Sequence, residues 1–139
     1  MTKIKYNAEM LKIISLFESV TGAKLKDCFI DDIGTLLFIV DEKDMSKAIG
    51  RGGSTFQRLK NLLKRKIKIV EFSPNLEEFI SNLIYPIKPK SIEFNDGTLT
   101  VSGEDVESRS MLIGRDSRNL KNYKSIIQRY FDVKEMRVM

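Results

Sequence analysis

The feature that most constrains this chain is that it states one pattern twice. From Asn7 the sequence reads helix, strand, strand, short helix, helix, strand, and from Ser73 the same order returns. In the first copy Asn7 can cap a helix whose apolar residues Met10, Ile13, Ile14, Phe17 and Val20 fall at helical spacing. Thr21-Gly22 stops that helix. Strand-like runs at 26–31 and 35–41 follow, split by a turn at Gly34. Asp44 is placed to cap a short helix through Ala48. Ser54 with Gln57 reads as a capping box, opening a helix that carries Phe56, Leu59, Leu62 and Leu63. Residues 66–72 alternate as a half-buried strand.

The second copy opens on Ser73-Pro74-Asn75, with Leu76, Phe79, Ile80, Leu83 and Ile84 as a helical stripe that Pro86 ends. Segments 91–94 and 98–102 alternate around Asn95-Asp96-Gly97, whose Asp-Gly pair is a strong hairpin signal. A short helix over 105–112 leads to Ile113-Gly114-Arg115-Asp116-Ser117. Then comes a longer helix with Leu120, Tyr123, Ile127, Tyr130 and Phe131, and a strand over 133–138. Gly50 and Gly114 occupy corresponding places. The expected fold is α+β: two αββααβ units, 1–72 and 73–139, each with a three-stranded sheet packed against helices. Units of about 65 residues are marginal alone. A shared interface and little free linker are therefore expected.

Charge follows the repeat unevenly. The chain carries 24 Lys and Arg against 19 Asp and Glu, a net +5. All of that excess lies in residues 1–72, while 73–139 balance to zero. From Met45 to Val70 there is no acid, and Lys47, Arg51, Arg58, Lys60, Lys64, Arg65, Lys66 and Lys68 stand together in sequence. A weaker stretch, 108–131, holds Arg109, Arg115, Arg118, Lys121, Lys124 and Arg129 against Asp116. A lone basic run is most often a solvated helix face. Two acid-poor runs at matching places in a repeat weigh considerably against that reading here.

The segment Ala48-Ile49-Gly50-Arg51-Gly52-Gly53-Ser54 lies between two helices. Glycines there allow positive φ and close approach of a ligand to the backbone. The following helix aims its unpaired N–H groups and positive dipole end at the same place, so an anion, most commonly a phosphate, is the natural guest. Arg51 projects from the loop, with Lys47, Arg58 and Lys60 on the flanking helices. Mononucleotide motifs fit badly. No Gly-Lys-Ser/Thr ending is present, and Thr55 stands where a dinucleotide fingerprint needs its third glycine.

These residues resemble the type II KH domain, whose helix–GxxG–helix loop clamps the backbone of about four nucleotides beside an apolar groove. Gly50-Arg51-Gly52-Gly53 satisfies GxxG, and Ile49 resembles the apolar residue that lines the groove. The tandem arrangement, with Thr21-Gly22, Asp27-Cys28 and Lys47-Ala48-Ile49-Gly50-Arg51-Gly52-Gly53, is similar to the archaeal NusA-like family, and the resemblance spans the chain from about Asn7. It implies RNA binding in transcription elongation or termination without catalysis. Members consist of little more than two KH domains, without the polymerase-binding domain and oligonucleotide-binding barrel of bacterial NusA. By the same resemblance, Lys47, Ile49, Gly50, Arg51, Gly52, Gly53, Ser54, Arg58 and Lys60 form the main RNA site. Ile113, Gly114, Arg115, Arg118 and Asn119 form a weaker copy, in which Ser117 replaces the last glycine, though it can cap the next helix, and Asp116 opposes a phosphate.

Other chemistry is poorly supplied. With no histidine and one cysteine, imidazole catalysis, an internal disulfide and a multi-cysteine zinc site are excluded. No cofactor, metal or catalytic residue is expected. Cys28 reads as a buried small residue; Phe56, Tyr123, Tyr130 and Phe131 as core aromatics; Asp31 and Asp32 as solvated turn residues. No apolar run is long enough to cross a bilayer. Lys12 breaks the apolar stretch after Lys3 and Lys5, so a signal peptide is not expected and a cytoplasmic location is. The expected partner is single-stranded RNA, with RNA polymerase or other transcription factors as further partners. The competing reading is an adaptor that docks on RNA polymerase with little RNA contact, and single-stranded DNA is a third possible ligand.

Overall fold

The computed structural model describes residues 7–139. Lys3 and Lys5 lie outside the described residues. The chain divides between Ser73 and Pro74 into two compact units.

In the first unit, α1 (Ala8–Thr21) begins where the Asn7 side chain accepts from the Met10 N–H at 2.8 Å. It ends where Gly22 turns left-handed at φ 72. Strands β1 (Leu25–Ile30) and β2 (Leu36–Val40) form an antiparallel hairpin. Asp31 organises its turn, its Oδ1 accepting from Ile33 N–H at 3.1 Å and Thr35 N–H at 2.8 Å. Asp31 is therefore a structural turn residue and not merely a solvated one. Helix α2 (Glu42–Ile49) follows, then a single 3₁₀ turn (Arg51–Gly53), α3 (Ser54–Leu63) and β3 (Ile67–Glu71). β3 pairs parallel to β2, giving the sheet order β1-β2-β3.

Two helix starts differ from expectation. Asp41, not Asp44, holds the N-cap position of α2, and Asp44 is buried within the first turn. The chain leaves β2 at Val40 and is helical one residue after Asp41, too soon for a cap at Asp44. Ser54 forms no capping box, because it is already helical at φ −62 and ψ −41. A capping residue needs an extended backbone, and the 3₁₀ turn runs straight into α3 without one.

The core of this unit packs α1, α2 and α3 against one face of the sheet. Phe17 and Phe38 stack with centroids 4.4 Å apart, and Leu36, Val40, Ala48, Leu59, Ile67 and Ile69 close around them. Each such large side chain contributes about 1.5–3 kcal/mol by leaving water. Cys28 belongs to this core, in sulfur contact with Met10 at 3.6 Å. Burial, helped by Asp27, pushes its thiol up to about 12. Phe56 packs against the same core, half-buried.

The second unit repeats the order: α4 (Leu76–Ile84), β4 (Pro89–Asn95), β5 (Thr98–Gly103), α5 (Val106–Ile113), a 3₁₀ turn (Arg115–Ser117), α6 (Arg118–Gln128) and β6 (Glu135–Val138). Asn75 caps α4 through Glu78 N–H at 2.9 Å, and Asp105 caps α5 through Ser108 N–H at 2.7 Å. Asn95 pairs with Thr98, so Asp96-Gly97 is a two-residue turn with φ 50 and 81, the doubly left-handed form that suits a twisted hairpin. β6 runs parallel to β5. Tyr130 and Phe131 lie beyond α6, which ends at Gln128; a turn bonded back to the Ile126 and Ile127 carbonyls carries them on. Both rings pack on Phe79, at 5.4 and 5.6 Å. Tyr123 is half-buried on α6. Each unit is thus a mixed α+β body with one three-stranded sheet.

Candidate nucleic-acid interface

In the first unit the end of α2, the 3₁₀ turn and the start of α3 make one tight corner. Gly50 has φ 75 and ψ 172, a region that is almost glycine-only. Gly52 (φ 60) and Gly53 (φ 77) are both left-handed. Gly50 N–H donates to the Ser46 carbonyl at 2.9 Å, and Gly53 N–H donates to the Gly50 carbonyl at 3.2 Å. The Gly53 donor is therefore spent inside the turn. The N–H groups of Arg51 and Gly52 stand ahead of that first bond, where a helix start leaves its leading donors without intrahelical partners. Arg51, Gly52 and Ser54 are exposed, at the positive end of the ten-residue α3.

The flanking residues do not all converge. Lys47 is exposed on the last turn of α2. Ile49 is half-buried and packs against the core while keeping part of its surface free. On α3, Arg58 follows Ser54 by four residues and shares its outward face. Lys60 lies roughly 200° further round, beside the core stripe of Phe56, Leu59 and Leu63. Arg58 and Lys60 thus serve different sides of the helix. Lys68 belongs to neither, being on β3, where burial lowers its pKa.

The second corner copies the backbone of the first. Gly114 has φ 72 and ψ 174, Asp116 φ 55 and ψ 33, and Ser117 φ 60 and ψ 24. Two side-chain residues therefore hold the left-handed conformations that Gly52 and Gly53 hold in the first loop. Ser117 makes no capping hydrogen bond, so the expected helix cap is absent; its left-handed backbone cannot supply one. Arg115 and Arg118 are exposed and Ile113 is half-buried. Asn119 is committed to the fold, its Nδ2 donating to the Met111 carbonyl at 2.8 Å across the corner. Lys124 is drawn off into an ion pair with Glu135 at 3.2 Å.

Two residues escaped the sequence reading. Thr55, which packs on Gly50, stands where Asn119 packs on Gly114 in the second unit. Met111 takes the α5 position that Lys47 takes on α2. Aligning the two helices on their closing glycines would have shown both. Among the described residues no group of acidic or cysteine side chains is arranged to hold a metal ion, and no helix is long and apolar enough to cross a membrane.

Comparison with known proteins bears on the chain as a whole. The probable transcription termination protein NusA of Halococcus morrhuae is 30% identical over 128 residues, 91% of this chain and 91% of its own length. The chain belongs to the archaeal NusA-like family. Its likeness to the NusA proteins of Halobacterium salinarum (strain ATCC 29341 / DSM 671 / R1) and Methanococcus vannielii is of the same order. These are 30% identical over 137 residues and 31% over 140, covering 98% and 80% of those chains. The crystal structure of APE1850 superposes on this NusA-like chain with a TM-score of 0.72 at 28% identity, covering 96% of this chain and all of the other. No protein-family model matches the sequence.

Proposed function

We propose that this chain is a single-stranded RNA-binding protein of transcription elongation or termination. In this reading it is built from two type II KH domains, 1–72 and 73–139, and holds the RNA backbone at residues 50–53. It uses no cofactor and performs no catalysis. One observation carries the reading: three positive-φ glycines build the tight corner ahead of the α3 N-terminus, within a stretch free of acids. The name carried by the relatives, probable transcription termination protein NusA, supports the transcriptional setting.

In this account phosphates meet Arg51 and the N–H groups of Arg51 and Gly52. Ile49 lies under a base, and Lys47 and Arg58 add attraction from either flank. The test is Arg51→Asp combined with Gly52→Asp, read by fluorescence anisotropy on labelled single-stranded RNA. The double variant should fold, since the second loop already holds Asp116 in the matching conformation. Binding should nearly vanish; unchanged affinity would overturn the assignment.

The adaptor reading has its own support in the second unit, which is neutral and places Met111 where Lys47 stands and Asp116 where Gly52 stands. A full chain with no RNA affinity at low salt would favour the adaptor.

A further inference from the structure

Five large apolar side chains of the second unit are exposed: Tyr85, Phe94, Val106, Met111 and Met139. Tyr85 is 66% exposed, Val106 68% and Met111 47%, and all three belong to segments that frame one cleft of about 260 Å³. Its walls are Pro86, Ile87 and Lys88 from the chain entering β4, and Glu104, Asp105, Glu107, Ser108 and Met111 from the start and outer side of α5.

The fold does not require this apolar surface. On α2, the same helix in the first unit, Glu42 stands where α5 has Val106, and Lys47 where α5 has Met111. The charge at the following position is inverted as well, Lys43 becoming Glu107. Two charged positions have thus become exposed hydrophobic ones, and a base has become an acid. Apolar groups exposed together beside a polar rim mark a docking surface more often than an accident of sequence.

Charge selects the occupant. Glu104, Asp105 and Glu107 outnumber Lys88 around the cleft, so an RNA backbone is repelled from it. Asp105 is engaged on its own helix: its carboxylate accepts from Ser108 N–H and holds its proton less readily than usual, chiefly through that bond, with a smaller contribution from the nearby Arg109 charge. That leaves Glu104 and Glu107 as the acids that face a ligand. The acidic rim at Glu104 and Glu107 lies about 10 Å or more along the helix from Gly114, while Met111 carries the apolar wall of the cleft up to the edge of the second loop.

We propose that this cleft docks a segment of another protein that is basic and carries an aliphatic or aromatic anchor. The anchor enters between Ile87 and Met111, and its flanking Lys or Arg residues meet Glu104 and Glu107. Such an interface takes its affinity from the buried anchor and its orientation from the rim. The inference does not depend on RNA binding at residues 50–53.

The test titrates the ¹⁵N-labelled full chain with a nine-residue peptide of alternating lysine and leucine. Parallel titrations use a lysine–serine and a glutamate–leucine peptide. Amide shifts confined to 85–88 and 104–111, produced by the lysine–leucine peptide alone, support the proposal. Glu104→Gln with Glu107→Gln should weaken that binding about tenfold, and Val106→Ser with Met111→Ser by at least as much. Both pairs are exposed and should leave the fold intact by circular dichroism. RNA affinity of the glutamine variant should stay within about twofold of the parent. Shifts elsewhere, equal binding of the lysine–serine peptide, or a parallel loss of RNA affinity would each overturn the docking site. Self-association of the full chain that the glutamine pair abolishes would also overturn it, by making a second copy the occupant.

Discussion

Thr55 stands so close against Gly50 that a β-carbon on the glycine would lie 2.8 Å from the threonine's backbone nitrogen. The first turn of α3 is thereby clamped onto the end of α2. Gly50 also has the φ 75, ψ 172 geometry that side chains avoid. Gly50→Ala should therefore destabilise the first unit by about 3 kcal/mol, combining backbone strain with the clash. Urea unfolding would measure it. A loss below about 0.5 kcal/mol would mean that the corner relaxes freely, contrary to the packing described.

The second corner makes the opposite prediction. Ser117 sits left-handed at φ 60 with no compensating cap bond. An L-residue there costs about 1–2 kcal/mol, while glycine gives back about 0.5–1 kcal/mol of unfolded-state entropy. Ser117→Gly should thus stabilise the second unit by about 0.5–1 kcal/mol, visible as a higher thermal midpoint. A lower midpoint would show that the serine side chain contributes something its geometry does not display.

The contrast between the two corners also shows what was legible in the sequence. Gly50, Gly52 and Gly53 announce positive φ because glycine is the cheapest residue to place there. Asp116 and Ser117 announce nothing; tertiary closure of α5 onto α6 forces them into the same conformations. Asn7 was readable as a cap and Asn75 as part of a helix start, each being a polar residue directly ahead of an apolar stripe, whereas Asp105 was placed inside its helix because α5 carries no such stripe. Asp41 was hidden because it also ends a strand pattern. The opposed faces of Arg58 and Lys60 were implicit in helical spacing, but a count of charges does not reveal direction. The Met111 cleft was illegible in a single copy and becomes visible only when α5 is laid over α2.

Cys28 gives a prediction in chemical reactivity. Its burial against Met10 and its thiol pKa of about 12 leave almost no thiolate near neutral pH. Alkylation by iodoacetamide at pH 8 should be at least about 100-fold slower in the native chain than in urea. The linkage has a definite sign. The folded pKa lies above the ordinary value of 9.0, so the stabilisation is complete below pH 9 and is lost as pH rises toward 12. Native-state alkylation as fast as in urea would contradict the burial.

Asp105 behaves in the reverse sense. Its hydrogen bond to Ser108 N–H lowers its pKa below the ordinary 3.8, so its carboxylate supports α5 above that value and loses its effect as pH falls through the lower folded value. Asp105→Ala should lower the thermal midpoint at pH 7, and the gap from the parent should close below pH 3.8. A gap that persists undiminished at pH 2 would assign the effect to something other than the charged cap.

The two corners share a backbone, so any difference in phosphate affinity must come from what projects from it. The first offers Lys47, Arg51 and a bare Gly52; the second offers Met111, Arg115 and the carboxylate of Asp116. Under the proposed RNA-binding function, Arg51→Gln should flatten the slope of log affinity against log salt by about 0.7, the value for one phosphate released from a single strand. Arg115→Gln should change it less. Asp116→Gly removes the opposing charge and leaves a residue suited to φ 55, so it should raise affinity for single-stranded RNA several-fold. Anisotropy titrations of the three variants across a salt series decide the matter. Equal losses at Arg51 and Arg115, with no gain at Asp116, would mean that the side chains on this shared backbone do not rank the loops.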